Sequence, residues 1–476
     1  MITAVTVATG QLGQLVVKQL KISFIRLLSL LCVLYFNLMI FPNDLSAQTN
    51  TAKSSPIQVT VYNPDDLYKG YLLWHQSDEL QEDVENISLL TDENGNVINT
   101  WKTNLTSGGA PAYLLENGLL IRTGILNPET FSGGSIASTN TIQIVDTEGN
   151  VVWQYNSPDP EKIFFHHDFE PMPNGNILIS IYHVLYASEA KNLGWKMGEN
   201  DRLWVDEIYE IKPDLSNGTT EIVWKWSIAD HLIQDKNPDI ANYGIISEHP
   251  ERIDPNFPKS YAPKGEMRQH VNSIDYNADL DQIVLSSLIY NEIWIIDHST
   301  TTSEAASSKG GSSGKGGDLL FRYGNPAAYG LGKPQDQIFS KQHDANWIEP
   351  GLPGEGNLIV HNNNTLFGRG QTIVEGRTSQ IYELKLPVKP DGTYKHTAGK
   401  AFEAEIVWFW ENPEYYATFQ GGARRLPNGN TLITDTVDRL VLQVNTKGDI
   451  VAEYKGSAPV YKAFMYSPDY VKNITN

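Results

Sequence analysis

The stretch HHDFEPMPNGNILIS, residues 166–180, carries an Asn-Gly turn between two apolar runs, which is the strongest short-range signal for a β-hairpin. Four other stretches share this plan, two of them with longer loops: GAPAYLLENGLLIRTG (109–124), QHVNSIDYNADLDQIVLSS (269–287), QHDANWIEPGLPGEGNLIVHN (342–362) and QGGARRLPNGNTLITD (420–435). A unit that recurs in this way predicts an array of similar supersecondary structures.

A second signal precedes each unit, namely an apolar pair followed by alternating aromatic residues. Its copies are VINTW (97–101), VVWQY (151–155), IVWKW (222–226), LLFRY (319–323), IVWFW (406–410) and DIVAEY (449–454). Alternation with period two is typical of half-buried strands, and Gly and Asn punctuate the gaps. The chain is therefore predicted to be all-β, a six-bladed β-propeller with four-stranded blades. Only APVYKAFMYSPDY (458–470) follows the last copy, so strands from both termini are expected to close the ring.

The N-terminal part is not expected to belong to this fold. Residues 1–20 are interpreted as a spurious or fused extension. Residues 21–47 combine basic residues, an apolar run and a small-residue site, which predicts a signal peptide cleaved after Ala47. A periplasmic or secreted location follows, with a retained membrane anchor as the alternative. Residues 48–476 form the predicted propeller, with a long insertion near 187–267 whose aromatics Trp195, Trp204, Tyr243 and Tyr261 either cap the channel or pack as an ordinary loop.

Net charge and cysteine content limit which partners and which catalytic groups are expected. The chain has a net charge of −20, and its first 47 residues carry three basic and one acidic side chain, which leaves −22 on the remainder. So acidic a protein is not expected to bind nucleic acid or an anionic membrane, and an anionic substrate would need a locally positive site. The single cysteine, Cys32, lies within the predicted signal peptide, so the exported form would have no thiol chemistry.

One column of the repeat contains Ala110, His167, His270, His343 and Gly421. Equivalent positions on successive inner strands of a propeller face the central channel, so three imidazoles are expected to converge there. A single histidine of this kind is more often bonded to a neighbouring carbonyl, but three adjacent repeats favour a functional site. The small residues of the other repeats leave space for a ligand.

Several neighbouring residues are candidates for substrate binding. A one-residue slip would exchange His166 for His167, although glutamines occupy the register of His166 in three other units. Asn272 lies two residues after His270, on the same face of a strand. His361 and Asn362 end a strand in the unit of His343.

The motifs HHDFEPMPNGNILIS, QHVNSIDY, IVLSS, QHDANW and NLIVHNNN resemble those of the bacterial arylsulfate sulfotransferases, over about Tyr71 to Tyr466. The resemblance implies an exported six-bladed propeller that moves a sulfuryl group from a phenolic sulfate ester to a phenol, without a nucleotide donor or another cofactor. It further implies that His343 becomes sulfated in a ping-pong mechanism. His167 and His270 would bind the sulfuryl oxygens or exchange protons with the phenols.

One position departs from the family pattern. An arginine that helps to hold the sulfate is expected near Leu288, and leucine supplies no charge. Arg424 is one of four arginines that would have to replace it from another blade, the others being Arg122, Arg268 and Arg425. The departure leaves two alternatives, a different ester or weak activity.

Two other kinds of function fit the histidine column. Three neutral imidazoles are suitable zinc or copper ligands, which would make the protein a metallohydrolase or a metal carrier. A propeller whose histidines only line a wet channel would be a binding module.

Overall fold

The Asn174-Gly175 turn joins two antiparallel strands, Ile163–Pro171 and Ile177–Tyr186, as the repeat predicts. Gly175 adopts a φ of 85°, the left-handed region that glycine tolerates best, and its N–H donates to the carbonyl of Met172. The computed structural model describes residues 56–76, 86–106, 109–130, 137–199, 201–257, 267–365 and 377–475. The predicted extension, signal peptide and cleavage site lie outside these ranges and stay predictions.

The strands in the first half of the chain are β1 (Ile57–Val61), β2 (Tyr71–Gln76), β3 (Ile87–Thr91), β4 (Val97–Lys102), β5 (Ala112–Leu114), β6 (Leu120–Gly124), β7 (Ser138–Thr139), β8 (Thr141–Val145), β9 (Val151–Asn156), β10 (Ile163–Pro171), β11 (Ile177–Tyr186), β12 (Arg202–Pro213) and β13 (Thr220–Ser227). Those in the second half are β14 (Val271–Asn277), β15 (Gln282–Ser287), β16 (Glu292–Asp297), β17 (Phe321–Tyr323), β18 (His343–Trp347), β19 (Leu358–Asn362), β20 (Gln380–Lys385), β21 (Glu405–Glu411), β22 (Gly422–Arg425), β23 (Thr431–Asp435), β24 (Leu440–Val444), β25 (Ile450–Gly456) and β26 (Val460–Tyr466).

Short helices and 3₁₀ turns make up the remaining regular structure of the described residues. The helices are α1 (Ala187–Asn192), α2 (Thr302–Ala305) and α3 (Lys472–Thr475). The 3₁₀ turns are Pro128–Thr130, Ile228–Asp230, Ile246–Glu248, Pro326–Tyr329 and Pro334–Asp336. None of the helices is long and apolar enough to cross a membrane.

Six antiparallel sheets form the blades. From the channel outward, blade 1 is β26-β2-β3-β4, blade 2 is β5-β6-β8-β9, and blade 3 is β10-β11-β12-β13, with β7 paired to the inner edge of β10. Blades 4, 5 and 6 are β14-β15-β16-β17, β18-β19-β20-β21 and β22-β23-β24-β25. The predicted six-bladed β-propeller is therefore confirmed. The inner strands of blades 3 to 6 pack against one another in chain order, and β26 of blade 1 packs against β22 and β23.

Both termini close the ring, as the sequence predicts. The C-terminal strand β26 is the inner strand of blade 1 and pairs with β2. At the other end of the chain, β1 adds a fifth strand to the outer edge of blade 6 by pairing with β25.

The repeated aromatic residues connect neighbouring blades. Four tryptophans of the outer strands are buried, and the indole N–H of each of these four donates to a backbone carbonyl of the next blade or of the loop beside it. These bonds are Trp101 to Asp146 (2.9 Å), Trp153 to Thr219 (3.1 Å), Trp226 to Gly317 (2.8 Å) and Trp410 to Gly448 (3.0 Å). The alternation visible in the sequence is thus the pattern of inter-blade packing.

The expected single insertion over 187–267 is wrong in its bounds. Strands β12 and β13 lie within this range and complete blade 3, because β11 continues into β12 through α1 and a short loop. Trp195 and Trp204 are buried, which agrees with ordinary packing for these two side chains. Tyr243 is 50% exposed, and Tyr261 lies outside the described residues.

Candidate active site

Irregular backbone lies at or beside the histidine in each of the inner strands β10, β14 and β18. His167 and His270 adopt φ values of 55° and 57°, and Asp344, next to His343, adopts 48°. Strand pairing shifts register at each of these points, in β10–β11, β14–β15 and β18–β19. Left-handed backbone at non-glycine residues is unusual and clusters where function or packing demands it.

The three imidazoles of the column converge. Nε2 of His167 lies 2.7 Å from Nε2 of His270, and their ring centroids are 4.5 Å apart. The centroid of His343 lies 6.3 Å from that of His167. All three side chains are buried, with exposures of 1%, 7% and 2% for His167, His270 and His343.

Fixed acceptors determine the tautomer of His343. Its Nδ1 lies 2.7 Å from Oδ1 of Asn363 and 3.1 Å from the carbonyl oxygen of Lys341. The Asn363 amide has a defined orientation, since its Nδ2 donates to the carbonyls of Ala417 and Gln420, both at 2.8 Å. Two oxygen acceptors require a proton on Nδ1 of His343, which leaves the lone pair on Nε2. No described residue makes a hydrogen bond to that Nε2.

A second chain of hydrogen bonds orders the other two rings. The Tyr461 hydroxyl donates to the carbonyl of Asn272 at 2.7 Å, so its oxygen accepts from Nδ1 of His167 at 3.3 Å. His167 then accepts at Nε2, and His270 donates from its own Nε2. The remaining nitrogen of His270, Nδ1, lies 2.7 Å from the Tyr182 hydroxyl and 3.2 Å from Sδ of Met267. The Nε2–H of His270 and the Nε2 lone pair of His167 are thus paired with each other.

Burial keeps these imidazoles neutral. Desolvation lowers the pKa of His343 to about 4, while hydrogen bonds from its ring to Asn363 and Lys341 act in the opposite direction. Desolvation and neighbouring charges hold the pKa values of His167 and His270 well below the usual 6.5. At neutral pH the cluster therefore carries nucleophilic nitrogens and no imidazolium charge.

A family model described as arylsulfotransferase (ASST) matches residues 137–457, two thirds of the chain. The chain belongs to the arylsulfotransferase family. The match spans blades 3 to 6 and contains all three converging histidines. No curated protein matches the sequence.

Solved structures similar to this arylsulfotransferase-family chain are distant. A Bacteroides caccae protein of unknown function is 9% identical, with a TM-score of 0.44, and the alignment covers 84% of this chain and 99% of that one. The Cps50 (Swd1) β-propeller domain of Myceliophteria thermophila is 10% identical, with a TM-score of 0.40 and coverages of 87% and 90%. Scores this low carry no argument about the site.

A cluster of four charged side chains lies next to the imidazoles of this arylsulfotransferase-family protein, namely Lys462, Asp168, Asp344 and Arg424. The ammonium of Lys462 bridges Oδ2 of Asp168 at 2.6 Å and Oδ1 of Asp344 at 2.7 Å. Arg424, predicted from sequence to bind substrate, donates to Asp344 at 3.2 Å and stacks on Phe464 at 4.7 Å. The contacts of Arg424 with Asp344, Asp275 and Phe464 include no histidine of the imidazole cluster.

Of the other candidate residues, His166 and Asn272 have different surroundings. The ring of His166 stacks on Tyr182, and its Nε2 lies 3.2 Å from both Ser180 Oγ and Asp206 Oδ1, inside blade 3. His167, rather than His166, is the ring that meets His270. Asn272 donates to the carbonyl of Gln342 at 2.7 Å and keeps a buried, unpartnered Oδ1 among the described residues.

The polar pair that ends β19 is divided between two faces. His361 Nε2 lies 2.8 Å from the Tyr415 hydroxyl, and a Cβ atom added at Gly421 would come within 3.1 Å of its ring. Asn362 faces the blade interior and bonds Gln380 and the backbone of Ser340. The structure therefore places His361 on the side of the cluster, but Asn362 away from it.

Sequence reasoning missed five residues that order the site. Their shared feature is that they lie on strands or blades other than those of the histidine they serve: Asn363, Tyr182, Asp206, Tyr461 and Lys462. Asn363 follows His361 by two positions, so the period of a strand could have identified it.

The geometry also bears on the metal-binding alternative. Nε2 of His167 and Nε2 of His270 face each other in a hydrogen bond rather than a common point in space. Within the described part of the chain, no group of three or more His, Cys, Asp or Glu side chains has the arrangement of a metal site.

Proposed function

We propose that this protein is a sulfotransferase that moves a sulfuryl group from a phenolic sulfate ester to a phenol through a sulfated His343. The observation that carries the proposal is the Nε2 lone pair of His343, which is fixed by Asn363 and has no hydrogen-bond partner among the described residues. Membership of the arylsulfotransferase family supports the reaction class.

In the first half-reaction, Nε2 of His343 attacks sulfur. The new N–S bond forms as the S–O bond to the aryl group breaks, and the electron pair leaves with the phenolate. In the described structure His270 donates its Nε2–H to His167. When the ester enters and this hydrogen bond opens, the same N–H can hydrogen-bond the developing phenolate oxygen, which takes its final proton from water.

In the second half-reaction, an acceptor phenol occupies the same space. The lone pair on Nε2 of His167, once released from its hydrogen bond with His270, accepts the phenolic proton while the phenol oxygen attacks sulfur and the N–S bond breaks. Phenols ionise only near pH 10, so base assistance matters at neutral pH. His343 is restored as a neutral imidazole, and His167 returns its proton to solvent.

We also propose that the protein acts outside the cytoplasm, as a periplasmic or secreted protein. The support is the basic, apolar and small-residue pattern of residues 21–47. Small aromatic sulfate esters and phenols are its proposed partners.

The test is chemical labelling of His343. The purified protein is incubated with 4-nitrophenyl sulfate, digested, and analysed for an acid-labile addition of one SO3 group on the peptide that contains His343. We expect this label in the wild type and in His396→Ala, which removes an exposed histidine elsewhere, but not in His343→Ala.

Two further outcomes would contradict the proposal. Release of 4-nitrophenol that a chelator abolishes would favour the metallohydrolase. A folded wild type that neither releases 4-nitrophenol nor becomes labelled would favour the binding module.

A further inference from the structure

Tyr182 of blade 3 meets the histidine cluster through its hydroxyl group. The hydroxyl oxygen lies 2.7 Å from Nδ1 of His270, on the neighbouring blade. The side chain of Tyr182 is 0% exposed, so water does not reach the hydroxyl. Among the described residues, His270 is the only hydrogen-bond partner of this group. Because a buried hydroxyl without an acceptor is costly, the Tyr182 O–H donates to Nδ1 of His270.

This hydrogen bond determines where His270 carries its proton. Burial, together with the charge of Asp206, raises the pKa of the Tyr182 phenol well above its usual range, so the phenol stays protonated. A ring nitrogen that accepts a hydrogen bond carries a lone pair. The single proton of the neutral His270 ring is therefore on Nε2. The hydrogen bonds of Tyr461 and His167 lead to the same position from the other side of the ring.

The other neighbour of Nδ1 favours the opposite tautomer. Sδ of Met267 lies 3.2 Å from Nδ1 of His270. A thioether is a weak hydrogen-bond acceptor and has no proton to donate. It can accept from an N–H at Nδ1, but it cannot donate to a lone pair there. Loss of the Tyr182 hydroxyl would therefore move the proton of His270 to Nδ1 and leave a lone pair on Nε2.

Other contacts hold the two rings in position. The ring of Tyr182 stacks on His166 with centroids 3.6 Å apart and an interplanar angle of 6°. The backbone of His270 is held by Asp206, whose carboxylate oxygens accept from the N–H groups of His270 at 3.0 Å and Val271 at 2.8 Å. Replacement of Tyr182 by phenylalanine therefore removes the hydroxyl but keeps the contacts that orient both rings.

From this geometry, and on the basis of the proposed function, we propose that Tyr182 is a positioning residue that keeps the proton of His270 on Nε2 and so allows esters of weakly acidic phenols to serve as donors. When the S–O bond breaks, its electron pair passes to the phenolate oxygen. The Nε2–H of His270 stabilises that oxygen by a hydrogen bond and keeps its proton. This hydrogen bond matters most for weakly acidic phenols, because they leave as strongly basic phenolates.

The first experiment compares two donors of similar size in the Tyr182→Phe variant. 4-Methylphenyl sulfate releases a phenol that ionises at about pH 10, whereas the nitro group makes 4-nitrophenol a stronger acid. In a ping-pong mechanism, kcat/KM for the donor reports the first half-reaction alone. We expect Tyr182→Phe to lower kcat/KM about 10²-fold for 4-methylphenyl sulfate and less than about fivefold for 4-nitrophenyl sulfate. A purely structural defect would lower both values by the same factor.

Tyr209→Phe is the matched control. It makes the same substitution in the same blade, but the Tyr209 hydroxyl donates to Glu207 at 2.8 Å rather than to the histidine cluster. Its kcat/KM should match that of the wild type with both donors.

The second experiment locates the proton of His270 without relying on activity. Protein with isotopically labelled histidine ring nitrogens gives NMR chemical shifts that distinguish the two tautomers of each imidazole. A labelled sample of His270→Gln identifies the signals of His270 by their loss. We expect the proton on Nε2 in the wild type and on Nδ1 in Tyr182→Phe.

The outcomes separate the two proposals. Equal changes of kcat/KM with both donors, or a His270 proton that lies on Nδ1 in the wild type or stays on Nε2 in Tyr182→Phe, overturn the role of Tyr182 and leave sulfation of His343 intact. If Tyr182→Phe does not fold, the proton position in the wild type decides. If the wild type is never sulfated on His343, the proposed function fails, and the ring-nitrogen shifts still test whether Tyr182 sets the tautomer of His270.

Discussion

At the scale of residues, the proposed role of His343 depends on Asn363, which bonds to the opposite side of its ring from Nε2. The amide oxygen of Asn363 faces Nδ1 of His343, because its amide nitrogen donates to two backbone carbonyls and so fixes which end of the amide points to the ring. A free neutral imidazole can carry its proton on either ring nitrogen. The hydrogen bonds of Asn363 fix the proton of His343 on Nδ1 and leave the lone pair on Nε2. Under the proposed function, Asn363 is therefore a positioning residue.

A substitution at position 363 tests this role. We expect Asn363→Ala to lower kcat by about 10²-fold with a smaller change in KM, since the ring of His343 loses its orientation. Asn362→Ala is the control, because that side chain faces away from the cluster. Steady-state kinetics on 4-nitrophenyl sulfate and thermal unfolding of both variants provide the measurements. Equal kcat values for the two folded variants would contradict the assignment.

Sequence reasoning found the three histidines because they share one register of a repeat. It could not find Tyr461 or Tyr182, whose contacts with His167 and His270 join strands that are far apart in the chain or on a neighbouring blade. It also selected Asn362 rather than Asn363, although the alternation of a strand distinguishes their faces. Asn362 and Asn363 are adjacent in the chain, but their side chains point to opposite faces.

At the scale of elements, the irregular starts of the inner strands connect the blades. Inner strands of different blades do not form a common sheet, so side chains provide the bonds between them. Asp168 accepts from the N–H of Ile274 at 2.9 Å, and Asp344 accepts from the N–H of Ala423 at 3.1 Å. Lys462 of β26 joins both carboxylates.

Truncation of the chain tests the importance of β26. Removal of residues 458–476 takes away the inner strand of blade 1 and exposes the apolar faces of β2 and β23, so we expect no cooperative thermal unfolding. Removal of residues 472–476 alone leaves β26 and the buried Val471 in place and should change Tm only slightly. Circular dichroism of the two proteins makes the comparison. A cooperative transition in the longer deletion would show that the ring is stable without this strand.

Most strands were predictable, because Asn-Gly turns and alternating aromatic residues are local sequence signals. The bounds of the expected insertion over 187–267 could not be predicted in this way. β12 is twelve residues long and follows α1 rather than a tight turn, so the hairpin signal is absent at that point.

At the scale of the whole molecule, buried neutral histidines make stability depend on pH. Burial, assisted by the charge of Arg122, lowers the pKa of His75 to about 3 in the folded protein, whereas an unfolded histidine titrates near pH 6.5. Between these values the unfolded chain binds a proton that the folded chain does not. The contribution of His75 to the free energy of unfolding therefore falls as pH falls, by up to about 1.4 kcal/mol per pH unit.

We expect His75→Gln to remove this contribution. The variant loses packing at all pH values, but its deficit relative to the wild type should shrink steadily as pH falls from about 6.5 to about 4. Urea unfolding at several pH values measures the difference. His396→Gln, at an exposed position, serves as the control. A deficit that does not change with pH would rule out the buried, neutral state of His75.

The position of β26 in the chain also governs when the site can exist during biosynthesis. The ribosome makes this strand after all the other strands of the propeller, yet Tyr461 and Lys462 are the groups that orient His167 and join Asp168 to Asp344. A nascent polypeptide that still lacks it has its three histidines but not their final arrangement. If the proposed function is right, a premature stop codon just upstream yields an inert product, and the imidazoles become reactive only when β26 has been made.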